Sequence, residues 1–254
     1  MFLGPRAFSC PAECRWGFRD VNSTACLASA DGRARIIYVD DQRLSEHGEK
    51  GRTLATKAQD PKEQAEELAQ NEKALAEQVA VLADGSRRER QQAAALVAQV
   101  ARINPEAVVA HAAALVDALN RPEAQTRWEA LDALTELVPH DSRTCDKGVA
   151  GAETALFDED SGPVRLAAMR FLCRLGATTE NRSEKVWPLI DEGIQCYHGD
   201  LEFPDMLLAV IDFSAGKLSP TVKQELVDRM TFDATNGKGG LKKRASAIVE
   251  NASR

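Results

Sequence analysis

The chain has 254 residues, of which 44% are hydrophobic and 5% aromatic, and its formal net charge is −7. Scarce aromatic residues and Ala- and Leu-rich apolar stretches argue against a sandwich with large core side chains and favour an all-α fold. Beyond residue 53 the chain holds 24 basic and 32 acidic side chains, a poor balance for neutralising phosphates, so we expect no nucleic-acid partner.

No apolar run reaches the ~18 residues that would span a bilayer, so we expect no membrane contact and a cytoplasmic location. The six cysteines do not resemble the disulfide framework of a small secreted domain, and we expect them to be reduced.

Residues 1–59 follow neither a helical nor a strand period for long, and we expect a largely disordered leader in which only 34–39 could form a short strand. Four potential soft metal ligands fall in this leader: Cys10, Cys14, Cys26 and His47. Their spacing does not match paired C-x2-C knuckles, so no zinc site is expected. Residues 49–52 could also be a ribosome-binding site read in frame, in which case the leader is not made in the cell. Intact-mass measurement of the native protein decides this.

Residues 60–254 carry a succession of helical patterns separated by polar, Gly or Pro turns. Asp60, Pro61 and Glu63 are three agreeing start signals, and they predict one long helix to about Ala83. Pro139 is expected to stop a later helix. The further predicted helices cover residues 86–103, 105–119, 122–138, 142–157, 161–176, 183–197, 201–216, 219–233 and 239–252. They form about five antiparallel pairs.

The turns recur with a nearly constant period. Asp84, Asn120, Asp160, Asp200 and Asn236 lie 36, 40, 40 and 36 residues apart. A period of this length is typical of stacked helical arrays, in which each pair buries its apolar face against the next.

Positions inside the helices repeat as well. Leu82, Leu119 and Leu156 lie 37 residues apart, and a second series at intervals of 37, 38, 40 and 37 comprises Ala93, Ala130, Ala168, Leu208 and Ala245. The small residues of the second series would allow neighbouring helices to approach closely. Its recurrence predicts the same contact in each layer.

Residues 160–176 resemble the second helix of a HEAT repeat: Asp160 precedes the helix, Val164-Arg165 follows, and a small residue stands three positions later. Residues 120–138 match less fully, because Thr126 replaces the valine. The resemblance covers about residues 70–252 and weakens toward both ends. It implies a right-handed α-solenoid of about five antiparallel HEAT-like pairs.

The resemblance also implies a hydrogen-bonded ladder of Asp and Arg side chains that ties one layer to the next. Carried over to this chain, the structural ladder comprises Asp84, Arg90, Asn120, Arg127, Asp160 and Arg165. The alternative is that the aligned arginines contact an anion.

Signals for chemistry are weak throughout. The histidines at 47, 111, 140 and 198 have no His or Cys at helical metal-ligand spacing, and no nucleophile motif occurs. Residues 236–240 lack the strand and the terminal Ser/Thr of a phosphate loop, and 158–160 lack the alternation of a calcium loop. The basic clusters at 87–90 and 238–244 are interpreted as solvated faces, with anion contact as the alternative. We therefore expect no catalytic residue, cofactor or metal.

These observations predict a non-enzymatic scaffold or adaptor whose concave face, built from second helices, binds another protein. Two alternatives remain: a nucleic-acid-binding or repair module similar in shape to HEAT-like alkylpurine DNA glycosylases, and a small-molecule chaperone like the HEAT-like phycobilin lyases. The identity of the partner and the oligomeric state do not follow from the sequence.

Overall fold

The computed structural model describes residues 60–254, and this part of the chain is built from helices alone. The predictions for residues 1–59, namely the leader, its strand, the zinc ligands and the start of translation, lie outside the described residues. The twelve α-helices of the described part are α1 (Pro61–Leu68), α2 (Glu72–Asp84), α3 (Arg87–Ile103), α4 (Pro105–Val109), α5 (Ala112–Ala118), α6 (Ala124–Cys145), α7 (Val149–Leu156), α8 (Gly162–Gly176), α9 (Glu180–Cys196), α10 (Phe203–Ser214), α11 (Pro220–Asn236) and α12 (Gly239–Ala252).

Six of the twelve described helices start where a side chain satisfies a free backbone N–H group. Asp60 accepts a hydrogen bond from the backbone N–H of Lys62, and Ser86 and Glu89 form a reciprocal capping box. Such caps supply the partners that the first turn of a helix lacks. The predicted single helix from Pro61 to Ala83 is wrong, because Asn71 accepts a hydrogen bond from the N–H of Ala74 and starts a second helix.

Two further predicted boundaries are also wrong. The helix predicted over residues 105–119 is divided into α4 and α5 at Ala110 and His111. Pro139 does not end its helix, and the break comes at Asp141, whose backbone has φ −145° and ψ 67°. The Asp141 side chain accepts a hydrogen bond from the N–H of Thr144, so it caps the stretch that follows.

The helices form five layers, each with a first and a second helix: α2 with α3, α4 and α5 with α6, α7 with α8, α9 with α10, and α11 with α12. The second helices α3, α6, α8, α10 and α12 stack on one another, and α1 packs against α3 at the end of this row. The second helices contact each other more extensively than the first helices do. Elements on the inner side of a curved array lie closer together, so the row of second helices lines the concave face.

The core is one continuous ribbon of apolar side chains. Ala93, Ala130, Ala168 and Ala245 are all fully buried, as expected for residues that let helices of adjacent layers approach. The predicted fifth member, Leu208, is 47% exposed, whereas its neighbours Met206 and Leu207 are both buried.

The turn before α10 also differs from the turn before α8. Five residues separate Leu156 from Gly162, but six separate Cys196 from Phe203. The longer turn contains Gly199, which adopts a φ of 95°, a conformation that glycine accepts without steric cost.

The described helices include none that is both long enough and apolar enough to cross a bilayer.

Candidate functional site

Three arginines stand at the same level of successive second helices and connect adjacent layers. Arg90 donates from Nη1 to the carbonyl of Gly85 at 2.7 Å, and its guanidinium also pairs with the carboxylate of Glu123 in the next layer. Arg127 donates from Nη2 to Oδ2 of Asp158 at 2.7 Å. Arg90 and Arg127 therefore each contribute a charge-assisted hydrogen bond between layers.

Arg165 repeats this arrangement one layer further. Its Nη1 donates to the carbonyl oxygen of Asp158 at 3.0 Å, and its Nη2 lies 3.6 Å from Oε2 of Glu202. The guanidinium also lies 5.0 Å from the ring centroid of Tyr197, within the range of a cation–π contact. The hydroxyl of Tyr197 donates to the carbonyl of Leu156 at 2.7 Å.

The carboxylates that meet these arginines are Glu123, Asp158 and Glu202. Asp84, Asn120 and Asp160, named from the sequence, lie in the same turns, but in residues 60–254 their side chains make no ion pair or hydrogen bond with the three arginines. The sequence signal for the observed partners is an acidic residue in each turn before a second helix. The ladder role of the six named residues stays a prediction.

The series of arginines ends at α10. Three residues before the buried Leu207 stands Pro204, which cannot form such a contact. In the next turn of the array, Nε2 of His198 lies 3.1 Å from Oδ2 of Asp233, and the His198 ring packs against Phe203 at a centroid distance of 4.9 Å. The last two layers are therefore joined by a His–Asp contact.

Acid should weaken the first of these connections. The hydrogen bond from Arg90 holds the pKa of the buried Glu123 carboxyl below its ordinary value of 4.5. Because the pKa is lower in the folded than in the unfolded chain, this stabilisation is fully present above about pH 4.5 and is lost as the pH falls through the folded-state pKa. We expect the urea midpoint to decrease below pH 4.5, and to decrease less in Glu123→Gln.

The difference between the wild type and Glu123→Gln isolates the contribution of the Glu123 carboxyl, because all other carboxyls titrate in both proteins. Glu129 acts in the opposite direction because burial raises the pKa of its carboxyl. Identical pH profiles for the wild type and Glu123→Gln would contradict the assignment. The measurement is urea denaturation followed by circular dichroism between pH 3 and pH 7, at constant ionic strength.

The concave face carries a groove of about 350 Å³ across α6, α8 and α10. Its polar and apolar rim is formed by Glu136, Arg170, Arg174, Asp205, Leu208 and Asp212. The buried thiol of Cys173 lies at its floor. We call this the central groove.

A second cavity of about 810 Å³ lies beside it, between α1, α3 and α6. Five glutamines line it: Gln64, Gln78, Gln92, Gln99 and Gln125. Arg102 at its edge donates to Oδ2 of Asp132 at 2.7 Å. Because α6 lines both cavities, they form neighbouring parts of the concave surface.

The charges of the central groove are free within the described residues. Arg170, Arg174, Glu136, Asp205 and Asp212 form no ion pair or side-chain hydrogen bond with any residue between 60 and 254. The first helices contrast with this. There, Arg182 binds Asp146 through two hydrogen bonds of 2.7 and 2.8 Å, and Arg229 binds Asp191 in the same way at 2.5 and 2.9 Å.

Two of the three thiols between residues 60 and 254 are buried. Burial raises the pKa of the Cys145 thiol to about 12 and raises that of Cys173 as well, which suppresses the nucleophilic thiolate. Between residues 60 and 254 no three His, Cys, Asp or Glu side chains are grouped so that they could hold a metal ion. The third cysteine of this region, Cys196, is exposed.

No protein-family model and no curated protein matches the chain. Among solved structures, it is similar to a designed armadillo repeat protein in complex with the peptide (KR)4, with a TM-score of 0.60, 16% identity, and coverage of 75% of this chain and 91% of that one. It is also similar to an engineered protein, with a TM-score of 0.58, 16% identity and coverage of 78% and 93%. A third similar structure is a computationally designed armadillo repeat protein for modular peptide recognition. Its TM-score is 0.58 at 16% identity, and the match covers 75% of this chain and 91% of that one.

At these identities the likeness shows the fold, and the predicted helical repeat solenoid is confirmed as armadillo-like. The narrower HEAT assignment remains an interpretation of residues 160–176.

Proposed function

We propose that residues 60–254 form a non-enzymatic binding module, that residues 1–59 are a separate leader, and that the central groove holds a segment of a protein partner. The free charges of the groove are the observation that carries this proposal. The five charged side chains of the groove lie along one open depression without an ion pair among the described residues, while Arg182 and Arg229 on the first helices are both used in ion pairs. Unpaired charged groups around a partly apolar surface are suited to a polypeptide ligand, which can offer both complementary charges and apolar contacts.

The shape of the groove favours a chain segment over a small molecule. It is open and crosses three helices from successive layers, whereas small-molecule sites are concave, mostly apolar and enclose most of the ligand. One structural neighbour was solved with a peptide bound. We propose that an extended segment of the partner lies across the second helices at this groove.

The charge of the groove argues against nucleic acid. Three carboxylates face two guanidinium groups there, and a phosphate backbone requires an excess of cations along its path. The groove therefore has a negative net charge, and so does the whole chain. A protein segment, which can carry both signs, matches this surface better.

A selected-peptide experiment tests the proposal. The full chain is used to enrich binders from a displayed random peptide library, and the affinities of the enriched peptides are then measured for the wild type, Leu208→Arg and Phe232→Arg. Leu208 is 47% exposed in the groove, and Phe232 is 71% exposed on α11, away from it. We expect Leu208→Arg to weaken binding by about tenfold or more, the scale for losing one well-packed contact.

Phe232→Arg is the matched control, because it adds the same charge to another exposed apolar position. It should leave the affinity unchanged. The proposal is wrong if no peptide is enriched, or if the enriched peptides bind Leu208→Arg as tightly as the wild type.

A further inference from the structure

We propose that the central groove selects an extended segment with a basic, an acidic and a basic side chain in succession, one for each second helix that it crosses. This inference rests on the proposed function and specifies the partner segment. It follows from the order of charges across the groove, which is acidic on α6, basic on α8 and acidic on α10.

The middle of the groove is a site for a carboxylate. Arg170 and Arg174 are both exposed, four residues apart on one face of α8. Residues at this spacing lie side by side on a helix, and like charges there repel. Within residues 60–254 neither arginine has an acidic partner. A carboxylate placed between the two guanidinium groups would relieve the repulsion and accept charge-assisted hydrogen bonds.

The side formed by α10 is suited to a long basic side chain. Leu208 is half-exposed, and Asp205 and Asp212 stand three residues before it and four after it. These spacings place all three on one face of the helix. The aliphatic stem of an arginine or lysine can lie on Leu208 while its charged head reaches a carboxylate, as amphipathic side chains commonly do.

The side formed by α6 contributes Glu136, which is exposed at the rim of the groove. With no cation bound to it in the described residues, it can accept a second basic side chain. The order read from α6 to α10 is therefore basic, acidic, basic on the ligand. An entirely basic peptide meets repulsion at Arg170 and Arg174.

The spacing of these side chains follows from the curvature. Axes of packed helices lie ~8–10 Å apart, and a ligand on the concave side, nearer the centre of curvature, crosses each layer over a shorter path. An extended chain presents every second side chain on the same face, ~6.8 Å apart. A polyproline II segment presents every third at ~9.3 Å, a spacing that suits the helix axes themselves more than a path shortened by curvature. We therefore expect the three charges at alternate positions.

Two fluorescent peptides of identical composition and charge order test the spacing by fluorescence anisotropy with the full chain. The first is Arg-Thr-Glu-Thr-Arg-Thr-Thr, and the second is Arg-Thr-Thr-Glu-Thr-Thr-Arg. The first should bind about tenfold more tightly, because the misplaced charges of the second lose one charge-assisted contact. Equal affinities, or tighter binding of the second, would overturn the inference.

A charge exchange provides the second arm. In the variant Arg170→Glu with Arg174→Glu, the preferred peptide should become Arg-Thr-Arg-Thr-Arg-Thr-Thr, which the wild type should bind about tenfold less tightly than the first peptide. Both replaced residues are exposed, and a circular dichroism spectrum like that of the wild type verifies that the variant is folded. An unchanged preference would overturn the inference.

These results are distinguishable from a failure of the proposed function. Library-selected peptides that lack this charge order but are weakened by Leu208→Arg would contradict the inference alone. Absence of any groove-dependent peptide would contradict both.

Discussion

Replacing Phe171 by alanine is expected to destabilise the protein by about 3–5 kcal/mol, the range measured for truncating a fully buried phenylalanine. Phe171 lies on α8 in the middle layer, and none of its surface is accessible to solvent. Its ring approaches Gly148 so closely that a Cβ on that glycine would lie 3.3 Å from Cζ. Alanine would remove contacts between a first-row turn and a second helix, and would leave a cavity in the continuous core.

Urea denaturation followed by circular dichroism measures this effect. The matched control is Phe232→Ala, which removes the same side chain where it is 71% exposed. The control should change the stability by no more than about 0.5 kcal/mol, as is usual for surface positions. Since repeats in an array are stabilised by their neighbours, the loss at α8 should be felt on both sides. Similar effects for the two alanine variants would contradict the structure of the core.

Replacing Arg90 by alanine is expected to cost about 3–5 kcal/mol, the range for leaving one buried partner of an ion pair uncompensated. Glu123 is 4% exposed and loses the guanidinium that neutralises it. The carbonyl of Gly85 loses its side-chain donor in the same variant. The same denaturation measurement applies, and the effect should be present at pH 7 and smaller below pH 4.5, where Glu123 becomes protonated.

The control for Arg90 is Arg254→Ala, which removes an arginine from the exposed pair with Glu250. Exposed pairs contribute ~0–1 kcal/mol, so little change is expected. A double replacement of Arg90 and Glu123 by leucine should recover part of the stability lost in Arg90→Ala, because no buried charge is then left alone. An Arg90→Ala variant as stable as Arg254→Ala would show that the contact between layers contributes little.

The features repeated in every layer could be predicted from the sequence. The small residues Ala93, Ala130 and Ala168 recur at a helical-repeat spacing and are fully buried, as expected where helices of adjacent layers approach each other. The prediction failed at Leu208, which is exposed while its neighbours Met206 and Leu207 are buried, because the spacing of the polar turn residues does not fix which face of the following helix is turned to the core.

Breaks within helices were also missed. Asn71 and Asp141 both end one helical stretch by capping the next, but each follows residues with an acceptable helical pattern. Pro139 was the more obvious signal, and the helix nonetheless continues past it. Capping residues and prolines are ambiguous signals of a helix end where tertiary packing can keep the neighbouring turn helical.

Only one partner in each contact between layers, the arginine, could be predicted from the sequence. The arginines at 90, 127 and 165 recur at a constant position, so periodicity revealed them, whereas Glu123, Asp158 and Glu202 occupy different positions in their turns. Arginine is long enough to reach carboxylates at several positions, so the sequence does not restrict the partner to one. The central groove had no signal at all, because Arg170 and Arg174 appear in the sequence only as polar residues of an amphipathic helix.

The alternation of sign across the central groove has a kinetic consequence. Acidic, basic and acidic stripes on α6, α8 and α10 repeat over ~8–10 Å per helix, about the Debye length of ~8 Å at physiological ionic strength. At greater distances their fields largely cancel, so an approaching ligand would receive little electrostatic steering. Discrimination between ligands would then lie mainly in how long each remains bound, and the association rate should depend only weakly on salt.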